Sequence, residues 1–306
     1  IIKFLIVIIY IYKNYLSKIE TKESYYQEQL AYGIPVGLIA MIYVININID
    51  KYMVGLFFSS SVFAVYYLGS LFAPIFGWIT QSASQVITPR MSKAHKEGNL
   101  SEIKELYRSS ISKLALFFIP STIFLIFMAE PLIVILFTET YIDSVPIFMI
   151  YLILLPTYSV NLSWILMASG QTKFLLKLAL SMSIINIILS YWLLMTLEGD
   201  NRLLGIPFST VLVTWLSTIV VMNRSLATIG SSFLETYPLK EIWLTSAISL
   251  VAALPVILVS SLGLSNIVTL ILSGFLFKIV WLPLSFKFKL VGDNDIKLVK
   301  SFLPFY

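Results

Sequence analysis

A chain of 306 residues with 58% hydrophobic and only 12% charged side chains, and a mean hydropathy of +0.90, has too little charge to cover a soluble surface, where about 25% is usual. The 13 glycines and 12 prolines are too few for a disordered or fibrous chain, and the absence of cysteine excludes a disulfide scaffold or a thiolate metal site. The net charge of +5 would suit a nucleic-acid partner, but in a membrane protein such an excess reports basic cytoplasmic loops.

A spanning helix needs about 20 mostly apolar residues. In chain order nine stretches meet or approach that length: 1–15, 31–49, 60–88, 111–137, 145–169, 172–197, 203–223, 241–262 and 266–286. They are long and continuous, unlike the alternating strands of an outer-membrane barrel. The expected fold is therefore all-α, a polytopic membrane helix bundle of about nine spans. The first run lacks a basic leader and a small-residue cleavage site, so it does not read as a signal peptide.

The connections carry the orientation signal. Lys13, Lys18 and Lys22 follow the first run. Arg90, Lys93, Lys96, Lys104, Arg108 and Lys113 follow the third. Lys173 and Lys177 follow the fifth, Arg224 and Lys240 the seventh, and Lys287, Lys289, Lys297 and Lys300 the ninth. The alternate connections hold only Lys51 and Arg202, beside Glu139, Asp143, Glu198 and Asp200. By the positive-inside rule the basic connections and the C-terminus are expected on the cytoplasmic side. This spread makes the basic residues topology determinants and contacts for anionic lipid, with no nucleic-acid partner. Every connection is short. The 90–110 stretch, with Pro89, Gly98 and a Ser101-led start, reads as a short amphipathic surface helix, residues 17–30 as a second and 225–240 as a linker.

Polar groups inside apolar runs are candidates for function because a charge at bilayer depth costs roughly 2.5–3.5 kcal/mol on insertion scales. Tyr43, Asn46 and Asp50 share one helix face by their spacing. That face suits a hydrated cavity binding a proton, a cation or a sugar hydroxyl; alternatively, Asp50 and Lys51 form a solvated pair at the outer interface. Gln81 and Gln85, with Trp78 and several small residues, read either as interhelical glue or as a substrate-path wall. Glu130–Pro131 and Pro120 suggest kinks, with Glu130 either a proton site or an interfacial carboxylate. Asn161 and Asn186 read as helix-packing amides, and Lys278 as a snorkelling lysine. No phosphate loop, zinc motif or Ser/His/Asp set is visible; the single histidine, His95, falls in a basic loop. No metal or cofactor is expected, and no enzyme.

Two segments carry a family resemblance: residues 29–72 (QLAYGIPVGLIAMIYVININIDKYMVGLFFSSSVFAVYYLGSLF) and residues 87–120 (ITPRMSKAHKEGNLSEIKELYRSSISKLALFFIP), the latter followed shortly by FLIFMAEPLIVILFTETY at 124–141. They resemble the polysaccharide-repeat-unit flippases (O-antigen and teichuronic-type exporters) of the multidrug/oligosaccharidyl-lipid/polysaccharide exporter superfamily. Gly33, Pro35, Asp50 and Lys51 match its Gly-x-Pro helix ending in an Asp-Lys pair, and Ser59–Tyr66, Pro89, Met91, Ser92, Gly98 and the ASGQTK turn at 168–173 follow its pattern. The resemblance implies two six-helix lobes around a cavity plus two further helices. The chain then divides into the end of the first lobe (1–16), an interfacial linker (17–30), a second lobe (31–224), a linker (225–240), two more helices (241–288) and a cytoplasmic tail (289–306).

The implied activity is alternating-access flipping of an undecaprenyl-pyrophosphate-type lipid-linked oligosaccharide across the cytoplasmic membrane, for surface polysaccharide such as lipopolysaccharide O-antigen. Partners implied are that lipid, membrane lipids, the missing first lobe, glycan polymerase and glycosyltransferases. Asp50, Asn46, Tyr43, Lys51, Gln81 and Gln85 would face the substrate or ion cavity, and Arg90 would meet the diphosphate at the cytoplasmic mouth. A multidrug/cation antiporter shares the fold and is the nearest alternative, a lipid II flippase another. A membrane polymerase or ligase would need longer outer connections.

Overall fold

The computed structural model describes residues 23–71, 73–160, 163–199 and 201–292; the side chains of 23–25 and 73–75 are not described. Among the described residues the secondary structure is helical throughout, with no strand. The first run (1–15), residues 17–22, Asn161, Asp200, Lys297 and Lys300 lie outside the described residues.

In chain order the helices are α1 (Glu23–Phe57), α2 (Ser60–Ser70), α3 (Ala73–Lys96), α4 (Leu100–Phe127) and α5 (Ala129–Phe137), then a single 3-10 turn (Glu139–Tyr141). There follow α6 (Ser144–Leu152), α7 (Thr157–Val160), α8 (Trp164–Ala168), α9 (Thr172–Thr196), α10 (Asn201–Ile229), α11 (Phe233–Thr236), α12 (Leu239–Ser260) and α13 (Asn266–Lys287). Six of them, α1 from Tyr26 on and α4, α9, α10, α12 and α13, are long and apolar enough to cross a membrane. The chain is a multi-pass membrane protein. Its large apolar side chains point outward as often as inward: Leu56, Trp243 and Leu258 are exposed, which lipid tolerates and water does not.

Three of the expected spans are not single rods, the 111–137 run among them. The 60–88 run divides between α2 and α3, and the 145–169 run becomes the short helices α6, α7 and α8. At Ile153–Thr157 the hydrogen bonds tighten to the i→i+3 pattern: Leu154 N–H reaches the Tyr151 carbonyl and Thr157 N–H the Leu154 carbonyl. Pro156 lies inside this stretch and has no N–H to give, so the α-helical ladder stops there. Interrupted helices are tolerated at membrane depth only where protein or a cavity surrounds them. Tyr151, Leu154 and Leu155 are accordingly buried.

The cytoplasmic-side expectations are also modified. Residues 23–30 continue into α1 without a break, and 90–110 is a helix–turn–helix in place of a separate surface helix, because α3 runs through Pro89 to Lys96. Gly98 takes φ +69° and lets the Asn99 N–H bond the Ala94 carbonyl at 2.9 Å. The start of α4 is then capped by Asn99, two residues before the expected Ser101. Its side-chain oxygen accepts from the Glu102 N–H at 3.2 Å and from the Ser101 hydroxyl at 2.8 Å. Asn99→Ala is expected to destabilise the protein by about 1 kcal/mol, read as a lowered thermal midpoint in detergent, with Asn99→Asp close to wild type.

α4 is continuous through Pro120 and ends at Phe127; the break falls at Met128, and Pro131 sits in the first turn of α5, where a missing N–H costs nothing. Three apolar clusters hold the bundle: one around Tyr107, Phe118, Phe148 and Trp164, one around Val54, Tyr66, Ile147 and Ile206, and one joining Met128 of the α4–α5 junction to Ala252 and Phe277. At its N-terminal end α4 also grips the linker. The Tyr107 and Tyr237 hydroxyls bond at 3.2 Å, and Arg108 reaches the Glu235 carbonyl and the Glu241 carboxylate at 3.3 and 3.4 Å. A capping box of Ser232 and Glu235 starts α11. The Ser232 backbone N–H and the Ser231 hydroxyl hold the Glu235 carboxyl below its usual range.

Candidate functional site

The α1 sequence YVININIDKY puts a polar residue on one face at each turn. The fold turns that face toward α9 and α10, which are joined as a hairpin and both pack on α1. The three helices and the α6–α7 bend line a cavity of about 330 Å³ whose lining includes Tyr43, Asn46, Asp50, Tyr151, Tyr158, Asn186 and Thr210.

Asp50 is its most constrained member, with 3% of its surface exposed. Its Oδ2 accepts hydrogen bonds from the Tyr151 hydroxyl at 2.8 Å and the Thr210 hydroxyl at 2.6 Å. A carboxylate has only acceptors, so Tyr151 spends its proton on Asp50, and the Tyr66 hydroxyl, 2.8 Å from Tyr151, donates to Tyr151 in turn. Tyr66 stands beside the carboxylate, yet with its one proton engaged it leaves Asp50 Oδ1 buried and without a hydrogen-bond partner among the described residues. On the other side the Asn186 side-chain N–H₂ donates to Thr210 Oγ1 at 3.1 Å, while its Oδ1 accepts from the Ser190 and Ser209 hydroxyls at 3.1 and 2.6 Å. The result is a chain of polar groups from Tyr66 through Asp50 to Ser209, joining α2, α6, α1, α10 and α9.

The burial of Asp50 excludes the solvated interfacial pair for this residue. Lys51 points away from the cavity lining, with its ammonium 5.1 Å from the centre of the Tyr67 ring. Tyr43 approaches α3, where its hydroxyl stands 3.3 Å from the position a side chain at Gly77 would occupy. Gln81, Gln85 and Arg90 are exposed on α3, and none of them lines this cavity. Glu130 is exposed in the first turn of α5, where the helix dipole favours a carboxylate. Lys278 is exposed on α13.

Sequence reasoning missed Tyr66, Tyr151, Ser190, Ser209 and Thr210, and treated Asn186 as packing alone. One signal was available: Asn186 and Ser190 lie four apart, as do Asn46 and Asp50, so both helices carry a polar stripe. Among the described residues no group of three or more His, Asp or Glu could hold a metal ion. The oxygen atoms around Asp50 are the kind a hard monovalent cation takes, and the partnerless Oδ1 could equally hold a proton.

Comparison with known proteins agrees with the resemblance read from residues 29–141. Residues 2–146 match the model of a family described as "Polysaccharide biosynthesis protein". No curated protein matches the chain in sequence. Among solved structures, one titled "Lipid II flippase MurJ, inward closed conformation" superposes with a TM-score of 0.65 at 21% identity, covering 89% of this chain and 56% of that one. At that identity the likeness is one of fold, and the chain spans little more than half the length of the structure it matches. Residues 2–146 are thus similar to the polysaccharide biosynthesis proteins, and the chain as a whole shares its fold with a solved lipid flippase.

Proposed function

We propose that the chain forms the second lobe and the two trailing helices of a flippase that moves a lipid-linked oligosaccharide across the cytoplasmic membrane by alternating access. A first lobe would close the cavity against the exposed face of α1, which carries Met41, Val44 and Ile45. The observation that carries the reading is the buried Asp50 in a cavity lined by amides and hydroxyls. Sugar hydroxyls need partners of this kind, and an uncompensated carboxylate at this depth is costly unless it serves a proton or cation. Asp50 with Thr210 and Asn186 would bind the coupling ion or proton; Asn46 and Tyr43 would meet the sugar; Arg90 would meet the diphosphate at the cytoplasmic end. Lys51, Gln81, Gln85 and Glu130 would contribute where the first lobe or a second conformation brings them to the path. The reaction breaks no covalent bond, so a transporter needs no catalytic side chain.

The substrate assigned is an undecaprenyl-pyrophosphate-linked repeat unit for surface polysaccharide, O-antigen among them, supplied by glycosyltransferases and consumed by a polymerase. The fold match favours a second reading, lipid II. Both are tested in one experiment. The complete protein is reconstituted in vesicles carrying a carrier lipid whose glycan bears a dithionite-sensitive fluorophore. Flipping exposes inner-leaflet fluorophore and increases the fraction bleached from outside. The expected result is an increase with the repeat-unit lipid and little with labelled lipid II. The reverse order would assign lipid II, and no increase with either would remove the flippase reading.

A further inference from the structure

The ASGQTK turn at 168–173, between α8 and α9, contributes no residue to the lining of the Asp50 cavity. It is built around one side chain. Gly170 takes φ +74°, its N–H bonds the Met167 carbonyl at 3.1 Å, and the Gln171 N–H reaches back to the Leu166 carbonyl at 2.8 Å. The Ser169 hydroxyl donates to the Leu166 carbonyl and the Thr228 hydroxyl to the Arg224 carbonyl. With their protons spent, both hydroxyls accept from the Gln171 amide nitrogen, at 3.1 and 2.8 Å. The amide oxygen is thereby turned to α10, where it accepts from Arg224 Nε at 2.7 Å. The Arg224 guanidinium also lies over the Phe174 ring, 5.3 Å from its centre.

This clamp holds Arg224 by its Nε edge and one ring face. Its two terminal nitrogens have no hydrogen-bond or ion-pair partner among the described residues, and neither α9 nor α10 carries an Asp or Glu. The side chain is exposed, so fixing it costs rotamer freedom that nothing inside the chain repays. Its place on α10 gives the reason. Arg224 stands seven residues beyond Ser217, two turns and about 10 Å along the helix, on the face that lines the Asp50 cavity with Thr210, Thr214 and Ser217. The basic connections assign this end of α10 to the cytoplasmic side. A charged, pre-oriented pair of N–H donors in line with a sugar-lined path complements phosphate oxygens, which arginine binds in bidentate fashion.

We propose that Arg224, oriented by Gln171 and Phe174, binds the diphosphate of a polyprenyl-linked substrate at the cytoplasmic mouth of the Asp50 cavity. The glycan then extends along the α10 face toward Thr214 and Asp50. The proposal rests on the flippase reading and deepens it: it adds to Arg90 of α3 a docking residue on α10 itself, and gives the ASGQTK turn the task of aiming that residue.

The test separates binding from transport. The complete protein in detergent is titrated calorimetrically with geranyl diphosphate, a soluble prenyl diphosphate without a glycan. Binding should weaken about ten-fold in Arg224→Gln. It should weaken less in Arg224→Lys, which keeps the charge without the paired donors, and in Gln171→Met, which leaves the arginine unaimed. Wild-type thermal midpoints show that the variants are folded, and Arg224→Lys carries the comparison if Arg224→Gln is not. Inorganic pyrophosphate should displace geranyl diphosphate, and dihexanoyl phosphatidylglycerol at the same concentration should not. In vesicles the variants should raise the concentration of labelled repeat-unit lipid needed for half-maximal flipping more than they lower the maximal rate; a purely structural role would do the reverse. Unaltered binding in folded Arg224→Gln would overturn the proposal, and so would equal displacement by phosphatidylglycerol, which would make this a site for bilayer phospholipid. Arg224-dependent binding in a wild-type protein that flips neither lipid would remove the flippase reading and leave the diphosphate site standing.

Discussion

Asp50→Asn is expected to lower flipping by the complete protein at least ten-fold while leaving its thermal midpoint near wild type. The amide keeps an oxygen that can accept from Tyr151 and Thr210, whose bonds to the carboxylate are 2.8 and 2.6 Å, and its N–H₂ takes the place of the partnerless Oδ1. Shape is retained and the charge is lost. Asp50→Ala removes the acceptor as well and leaves two buried hydroxyls unsatisfied, at about 1–3 kcal/mol for each. It should therefore lose stability as well as transport. The pair separates an ionic role from a structural one, and wild-type flipping by Asp50→Asn would take Asp50 out of the transport cycle.

The second large effect lies outside the cavity. Gly69 on α2 is buried against α6, and a methyl group there would stand 2.8 Å from both the Ser144 carbonyl oxygen and Ile147 Cβ. The first of these is backbone and cannot swing aside. Ser144 also ties the two helices by donating to the Val65 carbonyl at 2.8 Å. Gly69→Ala should therefore cost about 1–3 kcal/mol by overpacking and push α6 outward. Tyr151 is one turn beyond Ile147 on that helix, so the displacement is transmitted to the hydroxyl that holds Asp50. The expected outcome is a lowered thermal midpoint and a loss of flipping, with no rescue by Ile147→Ala, because the Ser144 carbonyl remains. Gly37→Ala is the control: nothing lies within 4 Å of that site, and alanine's greater helix propensity makes it neutral or stabilising. A Gly69→Ala protein as stable as wild type would show that α2 and α6 do not hold the close approach observed.

Local periodicity made part of the site legible. Tyr43, Asn46 and Asp50 had to share a face once α1 was a helix, and they line one cavity. Gln81 and Gln85 obey the same spacing rule and lie exposed on α3. A polar stripe records that residues point in one direction; it does not record what that direction meets. Helix breaks were similarly half-visible. Pro120 and Pro131 suggested kinks, yet α4 passes through the first and starts α5 around the second. The interruption at Leu154–Pro156 is the one that brings Tyr151 and Tyr158 to the cavity.

By itself the sequence determined the solvent of this protein. An apolar excess in runs of spanning length leaves a membrane helix bundle as the outcome, because composition and 3.6-residue periodicity are local quantities that tertiary packing does not alter. Only the tertiary structure decided the partners of Asp50. Tyr151 and Thr210 lie 101 and 160 residues away, and nothing in the spacing of α1 selects those hydroxyls over others. A helix fixes which residues share a face; packing fixes what each face touches, and the chemistry of the Asp50 cavity lies in those contacts.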